Sequence, residues 1–351
     1  MFEPRQFGFL KDFLKREAGI VVDTTKEYLA VSRLAPIARD EGLADVNQLI
    51  EQLRRPNARL HRLVLDAMTV NETSFFRDPG VWRAMRDTVL PEMIEARAES
   101  RTLSIWSAAS SSGQEPLSLA MTLLELLGPE AARWRIEIIA TDLSTEMVQR
   151  TNDASYNQFE ASRGLEPQLR AKYFEQQGDR WVAKPILKRV VTARVLNLNS
   201  AAWNLRGPFD MILIRNVLIY FDNDSRLTIL RRCAPLLAKN APLIVGASEG
   251  TAGIPEMFSQ HRLPGLMTYR VGADAVPPVI GRPVAASPPS PPSRRFVPPE
   301  RPPVTAPPTR APRPVAATGS INAAVSKSPP PTKPVQPTSA QRSTRTTSGT
   351  S

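Results

Sequence analysis

Along residues 1–70, apolar side chains recur at three- and four-residue spacing, in "FGFLKDFLKREAGI" and "VNQLIEQLRRPNARLHRLVLDAM". That is the period of helices with one buried face. Pro56 interrupts the second stretch and divides it into two helices. Asp78-Pro79 then reads as an N-cap with proline at the first helical position, opening a helix through "GVWRAMRDTVL". From about residue 101 the pattern changes. "TLSIWSA", "RIEIIATD", "FDMILIRN" and "PLIVGAS" are short apolar strands, and the helical stretches "PLSLAMTLLELLG", "STEMVQRTND" and "DSRLTILRRCAPLLAKN" separate them. This alternation predicts an α/β fold, a doubly wound parallel sheet covered on both faces. Residues 160–193, with the helix "LEPQLRAKYF" and a hairpin turning at Gly178-Asp179, break the alternation and read as an insertion.

Composition adds a tail. Residues 274–351 hold 20 of the 34 prolines, and ten lysines and arginines face only Asp274 and Glu300. Most of the net charge of +11 therefore belongs to this segment. It cannot bury enough apolar area to offset the cost of ordering, so disorder is predicted there. The expected organisation is a helical domain over 1–75, an α/β domain over 76–273 and a Pro-rich basic tail over 274–351. A single cysteine, Cys233, excludes an internal disulfide framework and suits a reducing cytoplasm. The N-terminus lacks the form of a secretory signal, and no apolar run reaches the roughly 18 residues of a membrane span. A soluble, cytoplasmic monomer is expected.

In doubly wound sheets, ligands bind beyond the carboxyl ends of the strands. Four stretches lie there. "SAASSSGQEP" is neither a dinucleotide fingerprint nor a P-loop, but its small residues allow close backbone approach. Glu115 either completes a capping box with Ser112 or, if the helix starts at Pro116, faces the site freely. Asp142, ending "IIATD", either accepts from ribose hydroxyls or caps the next helix. Asn197 and Leu198 form a plain turn or flank an adenine. In "IRNVLIYFDND", Arg215 and Asn216 end a strand, and Tyr220 is a core ring or a site residue. Together these describe a nucleoside pocket without metal ligands, a cysteine nucleophile or a Ser-His-Asp triad.

The stretches "NETSFFRDP", "WSAASSSGQEPLSLAM", "IIATDLSTEM" and "IRNVLIYFD", in this order and spacing, strongly resemble the chemotaxis receptor glutamate methyltransferases of the CheR type. The resemblance covers roughly residues 5–272. It implies a class I methyltransferase fold with a small N-terminal helical domain and a β-subdomain insertion. It also implies S-adenosylmethionine as cofactor, and glutamates of chemoreceptor cytoplasmic helices as methyl acceptors. By similarity, Asn71, Thr73, Arg77, Glu115, Asp142, Asn197, Leu198, Arg215 and Asn216 would contact the cofactor. Tyr220, beside them, could orient the acceptor carboxylate or the methyl group. Phe75 and Phe76 would anchor the linker between the two domains. Two segments depart from the family pattern: "SRLAPIARDEG" dilutes Arg33 and Arg39 with Asp40 and Glu41 where members often carry a basic helix, and the hairpin is short.

The tail could also tether the enzyme near receptor arrays at the membrane. A second reading is a non-catalytic signalling adaptor, whose cofactor-sensing domain binds the cofactor weakly or not at all and whose tail recruits partners. The presence of all nine contact residues argues against it. Nucleic acid is not expected as a partner, because the tail's dispersed charges lack interleaved aromatics.

Overall fold

The structure is a computed structural model, and it describes residues 2–249 and 254–272. The tail predicted over 274–351 lies outside the described residues. Helices α1 (Pro4–Ala18), α2 (Glu27–Asp40), α3 (Val46–Leu53) and α4 (Ala58–Met68) turn their apolar stripes onto one core. Leu10, Phe13, Leu34, Leu49 and Val64 are fully buried there. Pro56 falls in the break between α3 and α4, and the Asn57 side chain caps α4 by accepting from the Leu60 amide at 3.0 Å. Gly19 closes α1 in a left-handed turn, φ 71°, with its amide donating to the Lys15 carbonyl at 2.9 Å. A Cβ at Gly19 would lie 2.6 Å from the Phe221 ring. Glycine thus lets the end of α1 press directly on the second domain.

The chain then runs through α5 (Pro79–Ala84), a π-helical turn at Met85–Val89 and α6 (Leu90–Ala96). Asp78 stands before α5 but does not cap it. Its backbone is left-handed, and its carboxylate instead pairs with Arg215 at 2.7 Å. The α/β layer follows as β1 (Thr102–Ala108), α7 (Gln114–Leu127), β2 (Arg135–Asp142) and α8 (Thr145–Asp153). The insertion comprises β3 (Ser155–Asn157), α9 (Gln158–Ser162), α10 (Pro167–Tyr173), β4 (Phe174–Gln177), β5 (Arg180–Ala183) and α11 (Pro185–Lys188). The main sheet resumes with β6 (Val191–Val195), β7 (Met211–Ile214), α12 (Asn223–Cys233), β8 (Leu243–Val245), β9 (Phe258–Leu263) and β10 (Leu266–Val271).

The main sheet has the order β6-β2-β1-β7-β8-β10-β9. Its first five strands are parallel, as expected, but β10 and β9 form an antiparallel hairpin at one edge. The sequence hid β9 because an edge strand needs few apolar positions, and only Phe258 of "FSQHRL" is buried. The insertion begins at Ser155, ahead of the expected position 160, because β3 pairs with β5 to complete a three-stranded sheet, β3-β5-β4.

Phe75 and Phe76 do not sit between the two domains. Phe75 is fully buried against Tyr156 and Phe174 of the insertion, with ring centroids 5.0 and 5.6 Å away. Phe76 packs edge-on against Trp82, 5.3 Å away. The rings therefore fasten the linker to the α/β domain. Hydrogen bonds dock the helical domain: the Val21 amide donates to the Tyr220 carbonyl at 2.9 Å, and Asn199 Nδ2 to the Arg16 carbonyl at 3.0 Å. Among the described residues, no helix is long and apolar enough to cross a membrane.

Candidate active site

A cavity of about 380 Å³ lies where the carboxyl ends of β1, β2 and β7 meet the helical domain. Asn71, Thr73, Arg77, Glu115, Asp142, Asn197, Leu198, Arg215, Asn216 and Tyr220 all line it. Each follows a strand, opens a helix or belongs to the linker, so the parallel topology brings distant segments to one rim.

Arg215 anchors the sheet side. Its side chain is 1% exposed and donates to Glu115 Oε2 at 2.9 Å, Asp78 Oδ2 at 2.7 Å and the Arg77 carbonyl at 3.1 Å. Glu115 Oε1 accepts from Ser107 Oγ at 2.8 Å. Glu115 is thus neither a capping-box member nor a free carboxylate. The helix starts at Gln114, two residues before Pro116, with Gly113 at its N-cap. Proline is tolerated there because the first intrahelical bond comes only from the Leu117 amide, to the Gly113 carbonyl.

Asp142 Oδ2 accepts from the Ser111 amide at 2.8 Å, and Oδ1 from the Ser144 amide at 2.9 Å. The N-cap of α8 is Ser144, whose hydroxyl accepts from the Met147 amide, so the capping reading of Asp142 passes to its neighbour. Burial pushes the Asp142 carboxyl above the usual range, opposed by those two amides. A carboxylate offers about four acceptor positions, so lone pairs remain beyond these two bonds. The Asn197 side chain is occupied within the protein: Nδ2 donates to the Glu17 carbonyl at 2.6 Å, and Oδ1 accepts from the Asn199 amide at 2.8 Å. Tyr220 ends a 3-10 turn, Leu218–Tyr220. Burial raises its hydroxyl pKa against the pull of Arg77 and Arg33, so the hydroxyl stays neutral at pH 7. Cys233 is fully buried with its thiol pushed up to about 12, and it is no nucleophile.

Two family models match this chain one after the other. The CheR methyltransferase all-alpha domain matches residues 5–69, and the CheR methyltransferase SAM binding domain matches residues 71–265. The chain belongs to the CheR methyltransferase family. Chemotaxis protein methyltransferase 1 of Pseudomonas aeruginosa is 36% identical over 75% of this chain and 97% of its own length. The protein of the same name from Vibrio cholerae is 39% identical over 73% of this chain and 93% of its own. The Escherichia coli chemotaxis protein methyltransferase is 31% identical over 76% and 91%. The protein is therefore a methyltransferase of chemotaxis with S-adenosylmethionine as its cofactor.

The cavity suits a polar ligand of that kind. Among the described residues, Ser110 Oγ, Trp82 Nε1 and Arg215 Nε are buried on its wall without a protein partner, and such groups are costly unless a ligand or solvent satisfies them. Sequence reasoning missed a second set of wall residues. Val21, Lys26, Leu29 and Arg33 line the cavity from the helical domain. Arg33 is fastened there, donating to the Thr69 carbonyl at 2.9 Å. Nothing in a helical repeat marks which exposed position will meet another domain. Trp82, in the helix opened by Pro79, lines the cavity too.

Proposed function

We propose that the protein transfers a methyl group from S-adenosylmethionine to glutamate side chains of chemoreceptor cytoplasmic helices, forming methyl esters in chemotaxis adaptation. The observation that carries this reading is the convergence of ten separated residues on one cavity at the strand ends. Asn71, Thr73, Arg77, Glu115, Asp142, Leu198, Arg215 and Asn216 would hold the cofactor. Asn197 would contribute through its backbone, since its amide group is engaged elsewhere. When bound, S-adenosylmethionine supplies an electrophilic methyl on a positively charged sulfur.

The acceptor chemistry needs no general base. A glutamate with a pKa of about 4.3 is already an anion at neutral pH, so no proton need be removed. The neutral Tyr220 hydroxyl can donate to that carboxylate and aim it. Arg77 and Arg33 lie close enough to offset part of the rise that burial causes at Tyr220, and their charge favours an approaching anion. Alignment of this kind can lower a barrier by up to about 7–11 kcal/mol. Val21, Leu29 and Phe221 give the same cavity an apolar wall, and apolar surroundings favour a step in which opposite charges cancel.

The test is transfer of a labelled methyl group to a receptor cytoplasmic fragment, followed by peptide mapping and mild alkali. Label on glutamate that alkali releases as methanol is expected. Alkali-stable label would reject a glutamate ester. No detectable calorimetric binding of S-adenosylhomocysteine would favour the adaptor.

A further inference from the structure

Glu249 is fully buried and lies outside every stretch singled out above. It ends a short 3-10 turn, Ala247–Glu249, after β8. Its Oε2 accepts from the Asn216 amide at 2.6 Å and the Gly246 amide at 2.7 Å. Its Oε1 accepts from the Ile219 amide at 3.3 Å. One carboxylate therefore ties the loop after β8 to the loop after β7. Asn216 stands in the left-handed region, φ 59°, a conformation that needs local support in a residue with a side chain. A Cβ at Gly246 would fall 2.4 Å from Glu249 Oε2 and 2.9 Å from the Asn216 amide nitrogen, so glycine is what admits the carboxylate. The tied loop carries Asn216, Val217, Tyr220 and Phe221, all on the cavity wall.

We propose that Glu249 is a positioning residue for methyl transfer: its buried carboxylate sets the turn that holds Asn216 and Tyr220 against the cavity. The role in turnover rests on the reading of Tyr220 given above; the role in cofactor binding does not. A carboxylate suits the task because it only accepts, and three amides converge on it. Glutamine can turn its oxygen toward the two amides at Oε2, which keeps the two shorter bonds, while its NH2 then faces the Ile219 amide donor to donor. Alanine leaves three amide donors unpaired, and burying them without partners is costly.

The test uses the full chain with Glu249→Gln, Glu249→Ala and Gly246→Ala. It reads the calorimetric Kd for S-adenosylhomocysteine, kcat and acceptor KM on a receptor fragment, and melting temperature. Glu249→Ala should weaken S-adenosylhomocysteine binding and lower kcat about 10- to 100-fold each, with acceptor KM changed less than about threefold. Glu249→Gln should recover most of both, and Gly246→Ala should shift both in the direction of Glu249→Ala. The proposal is overturned if Glu249→Ala, or Gly246→Ala should the former not fold, lowers melting temperature while Kd and kcat per folded molecule hold within about threefold. If wild type methylates no receptor glutamate, the proposed acceptor is wrong, and the calorimetric arm still decides the role of Glu249 in the cofactor site.

Discussion

On the sheet side of the cavity, the Arg215 side chain is 1% exposed between two carboxylates, and the backbone turn beside it is held by a buried glutamate. On the helical side, Val21 and Leu29 are 49% and 37% exposed, and the wall reaches the sheet through single hydrogen bonds such as Val21 to Tyr220. Both walls face the same space. The first is built from strand ends whose positions follow from the core packed beneath them. The second depends on a four-helix core distinct from the cores that flank the sheet. Damage to the sheet wall should therefore cost stability and binding together. Damage on the linker and helical wall should cost binding or turnover, with the fold intact.

Arg215→Ala would break this contrast most severely. Removing one partner from a buried charge cluster typically costs about 3–5 kcal/mol, and urea denaturation should show a loss of that order. A loss below about 1 kcal/mol would place the sheet wall on the same footing as the helical one. Asp142→Ala comes next. Hydrogen bonds to a charged acceptor contribute about 1.5–3 kcal/mol, so S-adenosylhomocysteine should bind roughly 10- to 150-fold more weakly in calorimetry. Unchanged affinity in the folded variant would leave Asp142 only its bonds to Ser111 and Ser144.

Arg77→Ala tests the linker. Its guanidinium donates to the Glu72 carbonyl, at 2.9 Å. We expect kcat/KM to fall about tenfold, equivalent to roughly 1.4 kcal/mol of barrier, while melting temperature moves little. A steep fall in melting temperature with intact affinity would make Arg77 a structural bridge. The smallest effect belongs to the Lys15–Asp222 pair, 2.9 Å apart and partly exposed, which joins α1 to the α12 cap. The Ser225 amide, with help from Lys15, lowers the Asp222 pKa to about 2. A depressed carboxylate stabilises the fold above its unfolded pKa, and this is lost as pH falls through about 2. Asp222→Asn keeps a capping side chain but loses the charge. It should cost less than about 1 kcal/mol near neutrality, and its difference from wild type should vanish between about pH 4 and 2 in urea titrations.

Much of the site was legible because its residues occupy positions that a parallel α/β sheet makes predictable. Asp142, Arg215 and Asn216 follow apolar strands, and such ends converge whatever else the chain does. What those side chains do there was less legible. Glu115 pairs with Arg215, 100 residues away in sequence, and Asn197 with Glu17, 180 residues away. Local spacing says nothing about partners at that separation. Glu249 is the sharpest miss, an acid immediately after "IVGAS" that resembles any surface carboxylate until burial and three amides are seen.

Apolar periodicity determined α1, α3 and α4 and four of the five parallel strands, because burying a face at period 3.6 or 2 is a local demand on the chain, and turn residues marked the break at Pro56 and the hairpin at Gly178-Asp179. Tertiary structure alone decided the antiparallel edge hairpin, the seating of Phe75 against the insertion, and the helical domain's share of the cavity wall. Each of these depends on which surfaces meet across long stretches of chain. The free energy of such contacts is set by shape and by the pairing of buried polar groups, and neither is written in the spacing of residues along one segment.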